Sequence, residues 1–218
     1  MNNQVAVRCD ITLRDRPLLV CDVDEVVLEF VTPLMRFLQT RGFELRANSF
    51  RLWGNIYSLE TGNVAEKSEV RDFMAAFFNQ QEKWQTPAKN AAETLTKLSD
   101  DADIVFLTAM PPHHHGLRRE LLNKAGMPYP MIATMDAKGP EVAALHGGRD
   151  LPLAFIDDIF TNLHSVRDHA PDTLLVNMMA NDQFRALAPD PGDGVARADD
   201  WVQADGIIRN HFRLSEAS

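Results

Sequence analysis

The chain has 218 residues, of which 45% are hydrophobic and 24% are charged, a balance typical of a globular protein with a well-buried core. Its 22 Lys and Arg residues against 31 Asp and Glu residues give a formal net charge of −9, which disfavours duplex nucleic acid as a partner. The sequence has no CxxC pair between its two cysteines, Cys9 and Cys21, no signal-peptide pattern and no apolar stretch of membrane-spanning length. These features predict a cytoplasmic protein without a membrane partner.

Short apolar runs bounded by Asp, Pro or Gly predict buried strands at 18–21, 103–107, 131–133, 153–156 and 174–176. Helical patterns follow at 87–99, 115–125, 138–146 and 160–169, with a terminal helix near 201–212. Strands that alternate with helices indicate a parallel sheet covered on both faces. The predicted fold class is therefore α/β, a three-layer sandwich with a central parallel Rossmann-like sheet.

One stretch interrupts this alternation between the first and second predicted strands. Residues 29–42 and 64–84 have helical patterns, and the second carries an apolar stripe, but no strand partner is evident. We interpret residues 29–86 as a small, mostly helical lobe inserted into an α/β core formed by residues 1–28 and 87–218. Phe77 and Phe78 are expected to pack in the core of this lobe.

Polar side chains follow the apolar runs where each predicted strand ends or the next helix begins. Parallel sheets bind ligands at the carboxyl edge of their strands, so these side chains are candidates for one site. They are Asp22, Asp24, Thr108, Lys138, Asp157 and Asp158. Turn residues and helix N-caps are the alternative interpretation of the same positions.

A specific chemistry can be built from these residue types. One aspartate can attack phosphorus while a second, two residues on, moves a proton to the leaving oxygen. Several carboxylates at one site repel one another unless a cation lies among them, and Mg²⁺ suits a phosphate site. A lysine and a threonine can hold the phosphoryl oxygens.

Four segments in order, LLVCDVDEVV, DIVFLT, DAKGPEVAAL and LAFIDD, resemble the four motifs of the haloacid dehalogenase-like superfamily. The resemblance spans about residues 17–162, and 29–86 occupies the place of that superfamily's first type of cap. It implies that Asp22 is the nucleophile and a Mg²⁺ ligand. It also implies that Asp24 is the general acid and base, with its backbone carbonyl on the metal.

The resemblance assigns roles to the other motif residues as well. Thr108 and Lys138 are implied to bind the phosphoryl group. Asp158 is implied to ligate Mg²⁺ directly and Asp157 directly or through water, while Asn162 could support those ligands. Lys124, at the end of a predicted helix, is a less suitable lysine.

The expected function is therefore Mg²⁺-dependent hydrolysis of a small phosphorylated metabolite through an aspartyl-phosphate intermediate. An acid at position 24 favours a leaving alkoxide, which needs a proton, over a leaving halide, which does not. The alternatives are phosphoryl transfer to another acceptor, phosphonate cleavage, or a non-catalytic protein that retains the metal and phosphate site.

One departure from the superfamily pattern is Glu25, because many members have Gly at that position. Glycine eases a tight turn, and we expect Glu25 to point outward, with a contact to substrate as the alternative. Trp53 and Tyr57 could form a lid over substrate or pack within the lobe.

The histidine run at 113–115 is expected to form a loop at the mouth of the site rather than a metal site, because adjacent side chains diverge. One imidazole, such as that of His113, could lie near substrate. Arg118 or Arg119, which follow, could reach an anionic group.

Overall fold

A computed structural model describes residues 7–8 and 11–216 of the protein, so Cys9 lies outside the described residues. The chain forms a seven-stranded sheet in which all neighbouring strands are parallel except β1, which is antiparallel to β6. The strand order is β1-β6-β5-β2-β7-β8-β9. The strands are β1 (Val7–Arg8), β2 (Leu18–Cys21), β5 (Asp103–Thr108), β6 (Met131–Ala133), β7 (Leu153–Asp157), β8 (Leu174–Asn177) and β9 (Val195–Arg197).

Helices cover both faces of this sheet, as the fully buried strand β2 shows by packing alternate residues into two different cores. Leu19 and Cys21 pack into one core with helices α4, α5 and α9, whereas Leu18 and Val20 pack into a second core with α6 and α7. These helices are α4 (Ala91–Leu98), α5 (His115–Lys124), α6 (Lys138–His146), α7 (Phe160–His169) and α9 (Trp201–Glu216), and a short α8 (Asp182–Arg185) follows β8. The predicted three-layer α/β fold is confirmed.

The segment between β2 and β5 folds around apolar side chains of its own. It contains α1 (Val31–Gln39), β3 (Phe43–Leu45), β4 (Ile56–Ser58), α2 (Lys67–Phe78) and α3 (Gln81–Trp84). Phe37 and Phe77 are buried at its centre, with ring centroids 5.6 Å apart, and Phe78 packs beside them. We call residues 29–86 the inserted segment; its status as a separate domain stays a prediction.

Three local features differ from the sequence-based prediction. The antiparallel hairpin β3–β4 was not predicted. The helix predicted over 64–84 is divided into α2 and α3 around Asn79. The helix predicted from Pro87 begins only at Ala91, because Pro87 pairs with Leu28 and Asn90 adopts a left-handed conformation, φ 65°.

The start of α6 lies unusually close to α7. A Cβ atom at Gly139 would overlap the Ser165 carbonyl oxygen, so only glycine fits there. The Gly139 N–H also donates to the Ser165 hydroxyl at 3.2 Å. This contact fixes the position of Lys138, the preceding residue. No helix within 7–8 and 11–216 has the length and apolar character needed to cross a membrane.

Candidate active site

Two neighbouring strands deliver acidic side chains to the same edge of the sheet. β2 and β7 pair in parallel with Cys21 beside Ile156, and the Asp22 N–H continues the ladder by donating to the Ile156 carbonyl at 2.9 Å. One carboxylate oxygen from each of Asp22, Asp157 and Asp158 lies within 4.8 Å of the other two. The parallel register thus unites acidic residues that are distant in sequence.

A buried lysine joins this group from the start of α6. The Lys138 side chain is 1% exposed, and its Nζ lies 2.7 Å from Asp22 Oδ1 and 2.7 Å from Asp157 Oδ2. We call Lys138, Asp22, Asp157 and Asp158 the Lys138 cluster. If all four groups are ionised, the cluster carries two more negative than positive charges.

Burial and, after it, the neighbouring charges shift the pKa values in this cluster. Burial raises the pKa of Asp22 to about 7, with Asp157 adding to the rise and Lys138 opposing it. Burial, then the charges of Asp157 and Asp22, raises the pKa of Asp158 well above its usual value. Burial alone would lower the pKa of Lys138, but Asp157 and Asp22 raise it overall. The cluster therefore favours an additional positive charge.

The donor set fits a hard divalent cation, since three carboxylates converge and such cations prefer oxygen ligands. Among the described residues, no protein group donates a hydrogen bond to the Asp158 carboxylate, whereas both oxygens of Asp157 accept hydrogen bonds from protein groups. Asp157 Oδ1 accepts from the Ile159 N–H at 2.8 Å and from Asn162 Nδ2 at 3.1 Å, and Oδ2 accepts from Lys138 Nζ. Asp157 is thus held in place mainly by the protein.

Thr108 is the last residue of β5, the strand on the other side of β2. Its side chain is 1% exposed, and Oγ1 has no hydrogen-bond partner among the described residues. A buried hydroxyl without a partner is costly unless a ligand supplies one. An oxygen-rich group such as a phosphoryl group would satisfy it.

Asp24 lies apart from the three converging carboxylates. Its Oδ1 accepts hydrogen bonds from Gln85 Nε2 at 2.7 Å and from Arg118 Nη1 at 3.0 Å. The Arg118 side chain is fully buried and also donates to Gln81 and Gln85. We call Arg118, Asp24, Gln81 and Gln85 the Arg118 cluster. Coordination of a metal by the Asp24 carbonyl stays a prediction.

The expectation that Glu25 points outward was wrong. Glu25 is 2% exposed, and its carboxylate accepts three backbone N–H bonds: from Phe30 at 2.8 Å, Val31 at 2.6 Å and Asn181 at 2.7 Å. Burial raises its pKa, and these hydrogen bonds oppose the rise. Glu25 is therefore a structural clamp on the start of α1 and the loop after β8.

The backbone at position 25 has a conformation that glycine adopts more easily than other residues. Glu25 has φ 64°, in the left-handed region, and its N–H donates to the Leu28 carbonyl at 2.8 Å within the tight turn 23–28. A non-glycine residue in this region costs about 1–2 kcal/mol. The three hydrogen bonds to the Glu25 carboxylate offset that cost.

A cavity of about 170 Å³ reaches Asp158 from the inserted segment. Phe50, Arg51 and Leu52 line it from the loop between β3 and β4, whereas Trp53 and Tyr57 are not among its lining residues. Trp53 is 51% exposed, and the Tyr57 ring lies under the guanidinium of Arg46. The residues just before Trp53, rather than Trp53 or Tyr57, therefore face this cavity.

The expectation that the histidines at 113–115 form a loop with diverging side chains was wrong for the first two, because Pro112–His114 is a turn of 3-10 helix and the His113 and His114 ring centroids lie 4.0 Å apart. His113 is exposed, His114 is buried against Phe78 with ring centroids 5.7 Å apart, and His115 Nε2 lies 3.1 Å from the Met131 carbonyl. Within the described part of the chain, the single group of metal-ligating side chains contains aspartates alone.

Sequence reasoning missed the glutamines of the Arg118 cluster. Gln81 and Gln85 look like surface residues in the polar run NQQEKWQ, yet they are 0% and 4% exposed. Their four-residue spacing was the available signal, because it places both side chains on one side of a helical turn. Of the two arginines considered, Arg118 reaches an anionic group, Asp24, whereas Arg119 bonds to Asn123 and backbone carbonyls.

By sequence, neither a protein-family profile nor a curated protein matches this chain. By structure, it is similar to a conserved haloacid dehalogenase-like protein of unknown function from Agrobacterium tumefaciens, with TM-score 0.61, 13% identity, and coverage of 88% of this chain and 97% of that one. A haloacid dehalogenase-like hydrolase from Xanthomonas campestris aligns with TM-score 0.58, 12% identity, and coverage of 93% and 99%. A phosphonoacetaldehyde hydrolase-like protein from Oleispira antarctica aligns with TM-score 0.57, 12% identity, and coverage of 96% and 97%.

These similarities identify the fold as that of the haloacid dehalogenase-like hydrolases. The described Asp22, Thr108, Lys138 and Asp158 lie at the strand and helix ends that the sequence motifs predicted.

Proposed function

We propose that the protein is a Mg²⁺-dependent phosphatase that hydrolyses a small phosphate monoester through an aspartyl-phosphate on Asp22. The observation that carries this proposal is the Lys138 cluster, in which three buried carboxylates meet around one lysine at the carboxyl edge of a parallel sheet. Asp22, Asp158 and Asp157 would hold the metal. When bound, Mg²⁺ would neutralise charge on the phosphoryl oxygens and on the carboxylates.

The first chemical step transfers the phosphoryl group to the protein. An Asp22 carboxylate oxygen forms a bond to phosphorus, the bond from phosphorus to the leaving oxygen breaks, and Asp24 gives that oxygen a proton. In this proposal, Lys138 Nζ and the unpartnered Thr108 hydroxyl would bind nonbridging phosphoryl oxygens.

The second step regenerates the protein. Asp24, now ionised, takes a proton from a water molecule as the water oxygen bonds to phosphorus, and the bond between phosphorus and the Asp22 oxygen breaks. Inorganic phosphate leaves, and Asp24 is again protonated for the next cycle. A cytoplasmic location and a small phosphorylated metabolite as substrate belong to the same proposal.

The test is hydrolysis of an aryl phosphate by purified protein, followed by a panel of phosphorylated metabolites and one phosphonate. We expect turnover with Mg²⁺ and none with a chelator. Asp22→Asn should reduce kcat by at least about 10³-fold, because it removes the nucleophile. Asp172→Asn, an exposed aspartate outside the Lys138 cluster, is the matched control and should leave turnover unchanged.

Circular dichroism of Asp22→Asn should match the unaltered protein. Turnover that persists in Asp22→Asn would exclude the nucleophile assignment. Metal binding without hydrolysis of any phosphate or phosphonate would favour a non-catalytic binding protein. Cleavage of the phosphonate alone would favour a phosphonate-cleaving enzyme, and product that carries the phosphoryl group on an added alcohol would favour a transferase.

A further inference from the structure

Arg118 is a buried arginine on α5 whose guanidinium group is surrounded by polar side chains. Its side chain is fully buried, and each guanidinium nitrogen donates to a side chain: Nε to Gln81, Nη1 to Asp24 at 3.0 Å, and Nη2 to Gln85 Oε1 at 3.1 Å. A buried charge is costly unless it is paired and hydrogen-bonded. Each guanidinium nitrogen of Arg118 thus has a hydrogen-bond partner, and the partner of Nη1 is Asp24.

Both described hydrogen bonds to the Asp24 carboxylate end on the same oxygen. Gln85 Nε2 and Arg118 Nη1 donate to Oδ1, whereas no described residue donates to Oδ2. Gln85 is itself fixed, because its Nε2 also donates to the Glu29 carbonyl at 3.1 Å and its Oε1 accepts from Arg118. The carboxylate therefore cannot rotate without loss of two hydrogen bonds.

We propose that Arg118, with Gln85, is a positioning residue that reserves Oδ2 of Asp24 for proton transfer. Oδ1, which already accepts two donors, is a poor site for a proton, so the proton given to the leaving oxygen resides on Oδ2. The inference rests on the proposed phosphatase activity. Because Gln81 and Gln85 lie at the end of the inserted segment, it also links that segment's placement to the orientation of Asp24.

The consequence is a specific dependence on the leaving group. A phenoxide with electron-withdrawing substituents leaves without much help from an acid, whereas an alkoxide needs a proton. Loss of the orientation should therefore slow alkyl phosphates far more than activated aryl phosphates. A purely structural role of Arg118 would slow both classes equally.

The experiment measures kcat/KM at saturating Mg²⁺ for aryl and alkyl phosphates that span a range of leaving-group pKa. This constant reports the steps up to phosphoryl transfer to Asp22, the half-reaction in which the leaving oxygen takes its proton. For Arg118→Met we expect a loss of about 10²-fold on alkyl phosphates and less than about 3-fold on the most activated aryl phosphate. Arg118→Lys, which keeps a donor near Asp24, should recover part of the alkyl activity.

Arg119→Met is the matched control, since Arg119 lies on the same helix and donates hydrogen bonds to Asn123 and to the Met127 carbonyl. It should show the leaving-group dependence of the unaltered protein. Gln85→Leu removes the other donor to Oδ1 and provides a second variant should Arg118→Met not fold. We expect it to show the same steeper dependence with a smaller loss.

An equal loss on all esters, in either Arg118→Met or Gln85→Leu, would overturn the positioning role while leaving the phosphatase proposal intact. If the unaltered protein hydrolyses no ester, the proposed function fails first, and the positioning role fails with it.

Discussion

Two buried cations serve the same edge of the sheet in contrasting ways. Lys138 and Arg118 are 1% and 0% exposed, respectively. Lys138 has three carboxylates in its cluster, whereas Arg118 has one carboxylate and two neutral amides. When the carboxylates are ionised, the Lys138 cluster thus has excess negative charge, and the Arg118 cluster is electrically balanced.

This difference separates a site that needs a ligand from one that does not. Carboxylates forced together in a buried place oppose folding unless a cation joins them, and proteins retain such strain where it serves function. A balanced cluster holds its members in one geometry without a ligand. The Lys138 cluster is therefore the expected place of binding, and the Arg118 cluster is a support for Asp24.

The largest effect should come from Lys138→Met. This change leaves Asp22, Asp157 and Asp158 buried without their cation, so we expect a loss of about 3–5 kcal/mol in the free energy of unfolding without Mg²⁺. Turnover should fall by about 10²-fold or more, because a phosphoryl-binding cation is lost. Urea denaturation and kinetics with an aryl phosphate measure the two effects.

Lys124→Met, at the exposed end of α5, is the matched control and should change the free energy of unfolding by less than about 0.5 kcal/mol. Arg118→Met should cost less than Lys138→Met, about 1–3 kcal/mol, because it leaves neutral amides and one partly exposed carboxylate without a partner. An equal or larger cost for Arg118→Met would break the contrast between the clusters.

The second effect concerns the metal. Mg²⁺ at about 100 times its Kd should stabilise the protein by about 2.7 kcal/mol, which a thermal melt with and without chelator measures. Asp158→Asn relieves repulsion within the Lys138 cluster, so it should raise Tm without metal and abolish most of the rise with Mg²⁺. Arg118→Met should keep its Mg²⁺ response. A Mg²⁺ response that survives in Asp158→Asn would place the metal elsewhere.

The smallest expected effect is a pH dependence of the free energy of unfolding, caused by His114 beside the Arg118 cluster. Burial, with the charges of His113 and Arg118, lowers the pKa of His114 below 6.5. The unfolded chain then binds a proton more readily than the folded one, so His114 makes the protein lose stability as pH falls below about 6.5. Urea denaturation from pH 7.5 to 5 should show a shallower loss for His114→Gln than for the exposed-site control His169→Gln. If the free energy of unfolding fell equally with pH in both variants, the role of His114 would be contradicted.

Much of the fold could be predicted because its strands are apolar runs with polar boundaries. Residues 18–21 and 131–133 are found as predicted, and three further strands extend their predictions by one residue. The edge strands β1 and β9 were missed, since two or three residues such as VAR have no apolar pattern. Short strands at an edge bury little, so sequence patterning hardly marks them.

The candidate site likewise contains residues that the sequence predicted and residues that it did not. Asp22, Thr108, Lys138 and Asp158 follow strands or open a helix, and parallel pairing brings such positions together. Gln81 and Arg118 come from two helices whose relative placement is a matter of tertiary packing, which no local pattern encodes. Glu25 was misjudged because charge suggested exposure, whereas backbone donors from α1 and from the loop after β8 compensate its burial.

The turn that carries Asp24 is also held by a hydrogen bond from α9. The indole N–H of Trp201 donates to the Val26 carbonyl at 2.9 Å across a sequence separation of 175 residues. At a synthesis rate of about 5–20 residues per second, Trp201 is added about 10–35 s after Val26. A nascent chain stalled before Trp201 would lack this hydrogen bond, so newly made protein should gain its mature turn geometry only after Trp201 has been added.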